Sequence, residues 1–332
     1  RLLKDYRIEF QILGSRTREP NAPLLSAEYL SIDTASHGLD TTFDEGRYTV
    51  ALDGEEFSGF ASKVEVSRET RRWRFDLGYS GTSPTFRADN GFISRSGIHE
   101  AVLTTGLVFR PNGRVFTRIQ PSLMAGRIWE WDGARKDEWV VGSIDLTLRG
   151  PWYFGCNMLL SRERFRTVWF EDIRRVDAWF ESTSLDGVRF GASINYGNAI
   201  ARNVTPLPIM GRQLTGRLWL VIKPLQQFTI EPNWEFARMR NRASGERIFE
   251  GYVLRTRFNY QFTRRLFTRV VVQYDDVDDK LSFEPLVTYK INPFTIFYAG
   301  AASRYAWRDD DDLGGRLVDR QFFIKLQYLF RV

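Results

Sequence analysis

The sequence has few of the residues from which enzymes and metal centres are commonly built. Its 332 residues include one cysteine, Cys156, and two histidines, His37 and His99. A single thiol excludes a disulfide within the chain and argues against a cysteine-based metal site. Hydrolases need a histidine beside a nucleophile or a carboxylate, so only these two histidines remain as candidates for catalysis.

Long apolar runs are also absent. No stretch approaches the roughly 18 apolar residues that a membrane-spanning helix needs, and the mean hydropathy is −0.34. A transmembrane barrel stays open, because its strands are short and apolar on one side only. Aromatic residues are abundant at 15%, and membrane barrels use them at both lipid interfaces.

The formal net charge is +6, and arginine carries most of the positive charge. No basic block or nucleic-acid motif accompanies it, so no nucleic-acid partner is predicted. The planar arginine fork suits phosphates, which are plentiful in an outer leaflet of lipopolysaccharide. Contact with outer-membrane lipid and lipopolysaccharide, or a plain compositional bias, explains the arginine excess equally well.

The end of the chain, Gln321 to Val332, has a clear alternating pattern. Strand side chains point to two faces in turn, so one face is wholly apolar and the other mostly polar, with Phe323 and Leu329 as exceptions. A soluble β-sandwich is one interpretation, but the pattern is typical of the strand that the barrel assembly machinery recognises. The predicted assembly signal is Phe322, Leu326, Tyr328 and Phe330.

Similar alternation recurs along the chain, as in Trp73, Phe75, Leu77 and Tyr79. Predicted tight turns alternate with longer polar segments. The turns lie near 68–70, 111–113, 149–151, 185–187, 224–226, 263–265 and 291–293. The longer segments are 15–55, 81–97, 131–136, 166–174, 197–209, 240–245, 275–279 and 308–317.

This layout predicts an all-β fold, namely a transmembrane antiparallel β-barrel with short periplasmic turns and long extracellular loops. The expected number of strands is about 16, in a range of roughly 14 to 20. We expect residues 1–332 to form one barrel domain in the outer membrane of a Gram-negative-type bacterium. Segments 15–55 and 81–97 are the predicted long extracellular loops. The chain starts at Arg1 without a methionine or signal peptide, which favours a fragment of a longer protein.

Five stretches carry a family resemblance: SRTREPN (15–21), SPTFRADNGFI (83–93), RPNGRV (110–115), IQPSL (119–123) and the terminal FFIKLQYLFR. Together they resemble the C-terminal region of an uncharacterised family of bacterial outer-membrane proteins. The resemblance implies a barrel that follows a carbohydrate-binding family-9-like domain, which becomes a candidate partner. The family has no established activity, so the resemblance implies architecture and leaves the function open.

The polar strand faces carry both signs of charge. An arginine or lysine that faces lipid at the bilayer centre costs roughly 2–4 kcal/mol, so we expect these residues to face the lumen. A barrel of about 16 strands is too wide for its own side chains to fill, so water, a loop or a partner must occupy it. The predicted lumen residues are Arg72, Arg74, Asp76, Arg217, Glu231, Glu235, Arg255, Arg257 and Lys325.

Segment 84–93 places apolar side chains around Asp89-Asn90-Gly91, a strong turn former. Apolar residues at an exposed loop tip are unfavourable, so one hypothesis is a loop that folds into the lumen and constricts it. The alternative is packing on neighbouring loops. The residues of this predicted constriction loop are Phe86, Arg87, Asp89, Asn90 and Phe92.

Other candidate sites are weaker. Acidic clusters offer Asp275, Asp276, Asp309 and Asp310 as oxygen ligands for calcium or magnesium, but the EF-hand spacing is missing. Solvated loops explain both clusters, so no metal or cofactor is predicted. His99 lies near Ser94 and Ser96, so a Ser–His site is conceivable there. Polar loop histidines are usually only solvated, however, so a surface enzyme is the least favoured function.

The function we predict is a passive channel or conduit for small polar solutes, carbohydrate-related if the resemblance extends that far. The alternative is a plugged, non-enzymatic barrel that anchors or docks a binding domain or partner protein. The sequence distinguishes them poorly, because mixed charge suits a water-filled pore and also suits salt bridges that only hold the wall together.

Overall fold

A computed structural model describes residues 5–22, 42–88, 91, 93, 95–307 and 316–330. Strands and their connections make up these residues, and the described part of the chain contains no helix. Accordingly, no helix there could cross a membrane. The strands lie where the sequence alternates apolar and polar residues. This pattern suits a strand because alternate side chains lie on one face.

Eighteen strands are described, most of them 10 to 18 residues long. They are β1 (Tyr6–Arg18), β2 (Thr42–Phe43), β3 (Tyr48–Thr49), β4 (Glu56–Glu69), β5 (Trp73–Thr82), β6 (Ile98–Leu107), β7 (Phe116–Glu130), β8 (Arg135–Leu148), β9 (Trp152–Phe165), β10 (Val168–Leu185), β11 (Val188–Ala201), β12 (Ile209–Leu225), β13 (Phe228–Asn241), β14 (Arg247–Gln261), β15 (Leu266–Asp275), β16 (Lys280–Asn292), β17 (Thr295–Ala306) and β18 (Arg316–Tyr328).

Sixteen of these strands form one sheet in simple chain order, from β1 through β4 to β18. Each pairing for which a register is described is antiparallel, as in β12 with β13 and β17 with β18. Strands β2 and β3 form a separate small hairpin inside the connection between β1 and β4. The predicted all-β barrel fold and the count of 16 strands are confirmed.

The chain divides into two compact units. Unit 1 comprises Arg1–Phe109, Gln120–Gly142 and Leu159–Asp172. Unit 2 comprises Arg110–Ile119, Ser143–Met158 and Ile173–Val332. Strands β7 to β10 contribute residues to both units, so each feature below is assigned to the unit that contains its residues.

Connection lengths follow the predicted alternation only in part. The predicted turns at 149–151 and 185–187 are tight, and Gly150 and Gly187 supply the positive φ that these turns require. However, the predicted loops 131–136 and 166–174 shrink to 131–134 and 166–167. Strand pairing continues further than the polar sequence indicated, because polar side chains are tolerated at strand ends beyond the apolar stretch.

Three further boundaries differ from the predictions. The turn predicted at 111–113 is part of a longer connection, 108–115. Strand β1 continues to Arg18 rather than ending at Ser15, since residues 15–18 pair with residues 56–59 and Arg16 forms an ion pair with Glu56. Strand β5 likewise includes residues 81 and 82 of the predicted loop 81–97.

One face of the sheet is apolar and exposed in both units. In unit 1 this face includes Leu77, Tyr79, Leu123, Val140 and Leu160, each between 42% and 45% exposed. In unit 2 it includes Ile194, Tyr196 and Leu218, each 51% exposed. Register keeps these side chains together, for example Leu77 opposite Leu103 and Ala192 opposite Leu218. We call this surface the apolar face and the opposite surface the polar face.

Large aromatic rings on the polar face lie over glycines of the neighbouring strand. Trp139 covers Gly126 in unit 1, while Trp179 covers Gly155 and Trp219 covers Gly191 in unit 2. None of these glycines has room for a β-carbon, so the ring packs directly on the backbone. The same arrangement explains Phe323, an exception to the terminal alternation, whose ring lies over Gly300.

Candidate functional site

The polar face of unit 2 carries a cluster of charges on strands β10 to β14. This charged patch surrounds a pocket of 450 Å³. Four arginines and two glutamates line it, together with Trp219 and Asn233. The charged lining residues are Arg189, Arg217, Arg255, Arg257, Glu181 and Glu231.

Strand register brings the first group of the charged patch together. Arg217 on β12 lies directly opposite Glu235 on β13. The Arg217 Nε donates to Asn233 Oδ1 at 2.7 Å and lies 3.4 Å from Glu235 Oε1. Asn233 Nδ2 in turn donates to Glu235 Oε1 at 2.9 Å. The Arg217 guanidinium is therefore oriented along the wall by an amide and a carboxylate.

A second group lies one strand further on. Glu231 on β13 is the register partner of Arg257 on β14, and the two side chains form an ion pair with Arg257 Nε donating at 3.1 Å. Asn259 Nδ2 donates to the other carboxylate oxygen of Glu231 at 3.0 Å. Glu231 is thus held on both sides by donors on β14.

Two arginines of the charged patch have weaker partners or none. The Arg189 guanidinium carbon lies 5.3 Å from the ring centre of Trp219, and Arg189 Nε lies 3.9 Å from Glu181. Arg255 is exposed and has neither a hydrogen bond nor an ion pair with any described residue. The charged patch therefore presents an unpaired positive charge among paired ones.

A second pocket of 630 Å³ on unit 2 shares Arg217 with the charged patch. Its polar lining includes Asp177 and Asn195, which form a hydrogen bond of 2.5 Å. Trp179 and Phe249 add aromatic surface. Polar groups beside aromatic rings extend the surface available to a polar solute along this wall.

The other predicted lumen residues lie elsewhere. In unit 1, Arg74 is 3.5 Å from Glu69, and Asp76 lies beside an ion pair between Lys63 and Glu65. Arg72, predicted on a strand, lies in the connection 70–72, because a hydrogen bond from Thr70 N–H to the Trp73 carbonyl closes a turn there. In unit 2, the Lys325 amine lies 5.9 Å from the Tyr298 ring centre.

The polar face of unit 1 is covered near the start of β4 by the first residues of segment 83–97. Phe86 is only 6% exposed, and the backbone of residues 85 and 86 lies against Gly59, which leaves no space for a β-carbon there. Thr85 Oγ1 donates to the Ser58 carbonyl at 2.8 Å, and Arg87 N–H donates to Ser15 Oγ at 3.1 Å. Segment 83–87 is therefore anchored to β1 and β4.

An aromatic cluster completes this cover. Phe57, on the same strand face as Gly59, is 3% exposed and packs against Phe43 and Tyr48 of the β2–β3 hairpin at 5.4 and 5.2 Å. The Arg87 guanidinium lies 4.7 Å from the Phe43 ring centre and 5.0 Å from that of Phe57. We call Phe43, Tyr48, Phe57, Phe86 and Arg87 the loop cluster. Asp89, Asn90 and Phe92 of the predicted constriction loop lie outside the described residues.

Three carboxylates converge beside the loop cluster. Glu19, Asp53 and Glu55 each bring an oxygen within 4.8 Å of the others. Burial raises the pKa of the Glu19 carboxyl, Glu55 and Asp53 raise it further, and Arg87 lowers it. Thr49 donates to both Glu55 and Asp53, at 2.9 and 3.0 Å. The sequence alone did not reveal this group, because Glu19 is more than thirty residues from Asp53 and Glu55 along the chain.

The remaining candidates have ordinary structural surroundings. Asp275 Oδ1 accepts a hydrogen bond from the Val277 N–H at 3.0 Å and so stabilises the turn 276–279, which also contains Asp276. Asp309 and Asp310 lie outside the described residues. His99 stacks on Trp131 at 4.3 Å, and its Nδ1 is 2.9 Å from the Tyr79 hydroxyl. Ser94 and His37 are not among the described residues.

The predicted assembly signal lies on and just beyond β18. Phe322 and Leu326 pair with Ala301 and Phe297 and are 77% and 64% exposed. Tyr328 and Phe330 place their rings 4.6 Å apart. Recognition by the assembly machinery remains a prediction.

Sequence reasoning found four of the six charged lining residues and missed Arg189, Glu181 and the ring of Trp219. The sequence did contain a signal for these residues. Arg189 and Gly191 lie on the same face of one strand, and Trp219 lies on the next strand. Matching them needed the β11–β12 register, which pairs Gly191 with Trp219.

Comparison with known proteins gives little. No family model matches the chain, and no curated protein matches it. Among solved structures, a Pseudomonas aeruginosa FadL homologue shares 12% identity over 97% of this chain and 86% of its own, with a TM-score of 0.24. The P. putida toluene transporter TodX shares 13% identity over 84% of this chain and 86% of its own, with a TM-score of 0.25. Scores this low carry no argument about fold or function.

The class of protein follows from the chain itself. Sixteen antiparallel strands in simple chain order, with exposed apolar side chains on one face and ion pairs on the other, form the arrangement of a membrane β-barrel. Apolar surface this extensive requires lipid rather than water as its solvent. The protein is a bacterial outer-membrane β-barrel.

Proposed function

We propose that the charged patch lines a passage through which small polar solutes, preferentially anions, cross the outer membrane. The observation that carries the proposal is Arg255, an unpaired arginine in a pocket whose neighbouring charges are already paired. Four arginines against three glutamates, counting Glu235 beside Arg217, leave this stretch of wall one net positive charge, which attracts anions.

The orientation of the barrel is part of the proposal. The longest described connections, 19–55 and 83–97, lie at one set of strand ends. The connections at the opposite ends are no longer than 108–115, and several of them are short, such as 149–151, 186–187 and 226–227. Outer-membrane barrels have short periplasmic turns and longer extracellular loops. We therefore place segments 19–55 and 83–97 outside the cell. A sugar-related solute and an upstream sugar-binding domain, both implied by the family resemblance, also belong to this proposal.

A second candidate function has its own supporting observation. The loop cluster covers the polar face of β4 with buried aromatic rings. Such a cover favours a barrel that is closed by its own segments and serves to anchor a binding domain or partner protein. The conductance measurement below distinguishes the two.

The test is single-channel conductance of the purified chain in a planar bilayer, with selectivity taken from the reversal potential in a salt gradient. The passage predicts stable steps and anion preference. Arg255→Glu should shift selectivity toward cations by roughly tenfold, because it replaces a positive charge by a negative one at a focused site.

Arg264→Glu is the matched control. It makes the same charge reversal on an exposed arginine of the connection 262–265, and it should leave selectivity nearly unchanged. A folded, inserted barrel without conductance would reject the passage and favour the anchor. Equal shifts in the two variants would reject the assignment of the charged patch.

A further inference from the structure

The 630 Å³ pocket on the polar face of unit 2 presents charges of both signs to the same space. We call it the Trp179 pocket, after the indole ring that lines it. Its charged lining residues are Asp177, Arg217 and Glu235. Its uncharged polar lining residues are Asn157, Ser193, Asn195 and Thr215. A carboxylate and a guanidinium with hydroxyl and amide groups between them suit a solute that is charged at both ends.

Strand register arranges the polar lining of the Trp179 pocket in two rows on β10 to β13. The first row is Asp177, Asn195 and Thr215, and the second row is Trp179, Ser193, Arg217 and Glu235. Each residue pairs directly with the next one in its row. The positions of the two rows are therefore fixed by backbone hydrogen bonds between strands.

Asp177 is the acid of the first row, and one of its carboxylate oxygens stays free. Asn195 Nδ2 donates to Asp177 Oδ1 at 2.5 Å and so orients the carboxylate. Asp177 is half-buried, forms no ion pair with any described residue, and receives no described hydrogen bond at Oδ2. A carboxylate in this state attracts an ammonium group, which donates charge-assisted hydrogen bonds.

Arg217, in the second row, uses only one side of its guanidinium within the wall. Its Nε donates to Asn233 Oδ1 at 2.7 Å and lies 3.4 Å from Glu235 Oε1. Its two terminal amino groups donate to none of the described residues, and the side chain is 55% exposed. The outer side of a guanidinium matches the geometry of a carboxylate. Glu235 faces Nε, so this outer side stays available to a solute.

The separation of the two charges determines the length of the solute. Asp177 and Arg217 are two strands and two residues apart, so their α-carbons are roughly 12 Å apart. The Arg217 side chain does not shorten this distance, because it is directed towards β13. The charges of a free amino acid are only about 3 Å apart, whereas each added residue extends a peptide by roughly 3.5 Å. A peptide of two or three residues therefore reaches both groups.

Aromatic side chains supply the apolar part of the Trp179 pocket. One side of the Trp179 ring packs on Gly155, where no β-carbon fits, and the residue remains 36% exposed. Phe249, which is 40% exposed, also lines the pocket. An exposed ring attracts an ammonium group through its π face and offers apolar area to the side chains of a peptide.

We propose that the Trp179 pocket binds short zwitterionic peptides, with the terminal ammonium at Asp177 and the terminal carboxylate at Arg217. The proposal adds a class of solute to the passage proposed above, on which it rests. Two acids and one arginine give the pocket one net negative charge, which opposes a simple anion but not a zwitterion. The charged patch also contains Arg217, so its positive charge lies on the side that holds the peptide carboxylate.

The experiment is binding of trialanine to the purified full chain in detergent micelles, measured by saturation-transfer difference NMR. The wild type should bind trialanine saturably. N-acetyl-trialanine and trialanine amide should each bind about tenfold more weakly, because each lacks one charge-assisted contact. Free alanine should also bind more weakly than trialanine, because it is too short to reach both charges.

Two variants assign the ends of the peptide. Asp177→Asn should bind trialanine about tenfold more weakly and should no longer distinguish it from the acetylated peptide. Arg217→Gln should likewise no longer distinguish trialanine from its amide. The matched controls are Asp186→Asn and Arg264→Gln, which change exposed residues of the connections 186–187 and 262–265. Both controls should bind all three peptides like the wild type, and heat-modifiability gels establish that each barrel is folded.

The proposal would be overturned if the wild type bound the free, acetylated and amidated peptides equally, or if folded Asp177→Asn still discriminated against the acetylated peptide. A conducting barrel that binds no trialanine would reject the Trp179 pocket and keep the passage. A silent barrel that binds trialanine with the expected discrimination would reject the passage and support the pocket as a peptide site.

Discussion

The polar face of unit 1 is covered by other parts of the chain, whereas the charged patch on the polar face of unit 2 is not. In unit 1, the chain returns onto the wall near β4: Phe57 is buried beneath Phe43 and Tyr48, and the backbone of Phe86 lies against Gly59. In unit 2, the charged patch stays open, and Arg217, Glu231 and Arg257 form pairs along the wall. The covered wall offers Phe57 and Gly59 to the chain above it, whereas the open wall carries most of its charged side chains around the pocket, beside Trp219 and Asn233.

The contrast has a physical cause. A loop can cover the wall only where the wall offers apolar area and close backbone approach, which Phe57 and Gly59 provide. Charged side chains would lose hydration under such a cover. The residue types of the wall therefore decide whether each stretch is closed or left open.

The largest expected effect is on the closed wall. Phe57→Ala should destabilise the protein by about 3–5 kcal/mol, because it leaves a cavity beneath the β2–β3 hairpin. Urea unfolding in lipid vesicles measures this loss. Phe60→Ala is the control, since Phe60 is 49% exposed on the opposite face, and it should cost clearly less. Similar losses for both variants would show that the loop cluster does not stabilise the wall.

An intermediate effect is expected on the open wall. Gly191→Val should displace the Trp219 ring and destabilise the protein by about 1–3 kcal/mol. It should also change selectivity, because Trp219 supports Arg189. Gly78→Val, at a polar-face glycine with open space around it, is the control. If Gly191→Val unfolds at the same urea concentration as this control, ring-on-glycine packing does not support the charged patch.

The smallest effect concerns pH. The pKa of Glu19 is raised by burial, so the folded state binds this proton more readily than the unfolded state. Its contribution to stability is greatest below the ordinary glutamate pKa and is lost as the pH rises through the folded-state value. Glu19→Gln should flatten the fall in stability that occurs as the pH rises above the ordinary glutamate pKa. An unchanged slope in urea unfolding would contradict this.

Much of the fold was predictable from particular residues. Trp73, Phe75, Leu77 and Tyr79 alternate, and all lie on β5. Polar stretches were less informative, since the predicted loop at 166–174 proved to be a two-residue turn followed by β10. Sequence polarity marks where a strand leaves the apolar membrane zone, but hydrogen bonding between strands decides where it ends.

The candidate site was predictable only as a set of residues. Arg217, Glu231, Arg255 and Arg257 were expected on one face, but their partners follow from register, which a one-residue slip would change. The carboxylates of Glu19, Asp53 and Glu55 meet through a connection of more than thirty residues, and no local pattern announces such a meeting.

The sequence by itself determined the class of fold, the strand count and the two-faced character of the wall, because these depend on side-chain period and connection spacing alone. Only the tertiary structure decided which charges pair, that Arg255 stays without a partner among the described residues, and that segment 83–87 lies on β4. Those outcomes depend on register and on contacts between distant segments, which a local period does not encode.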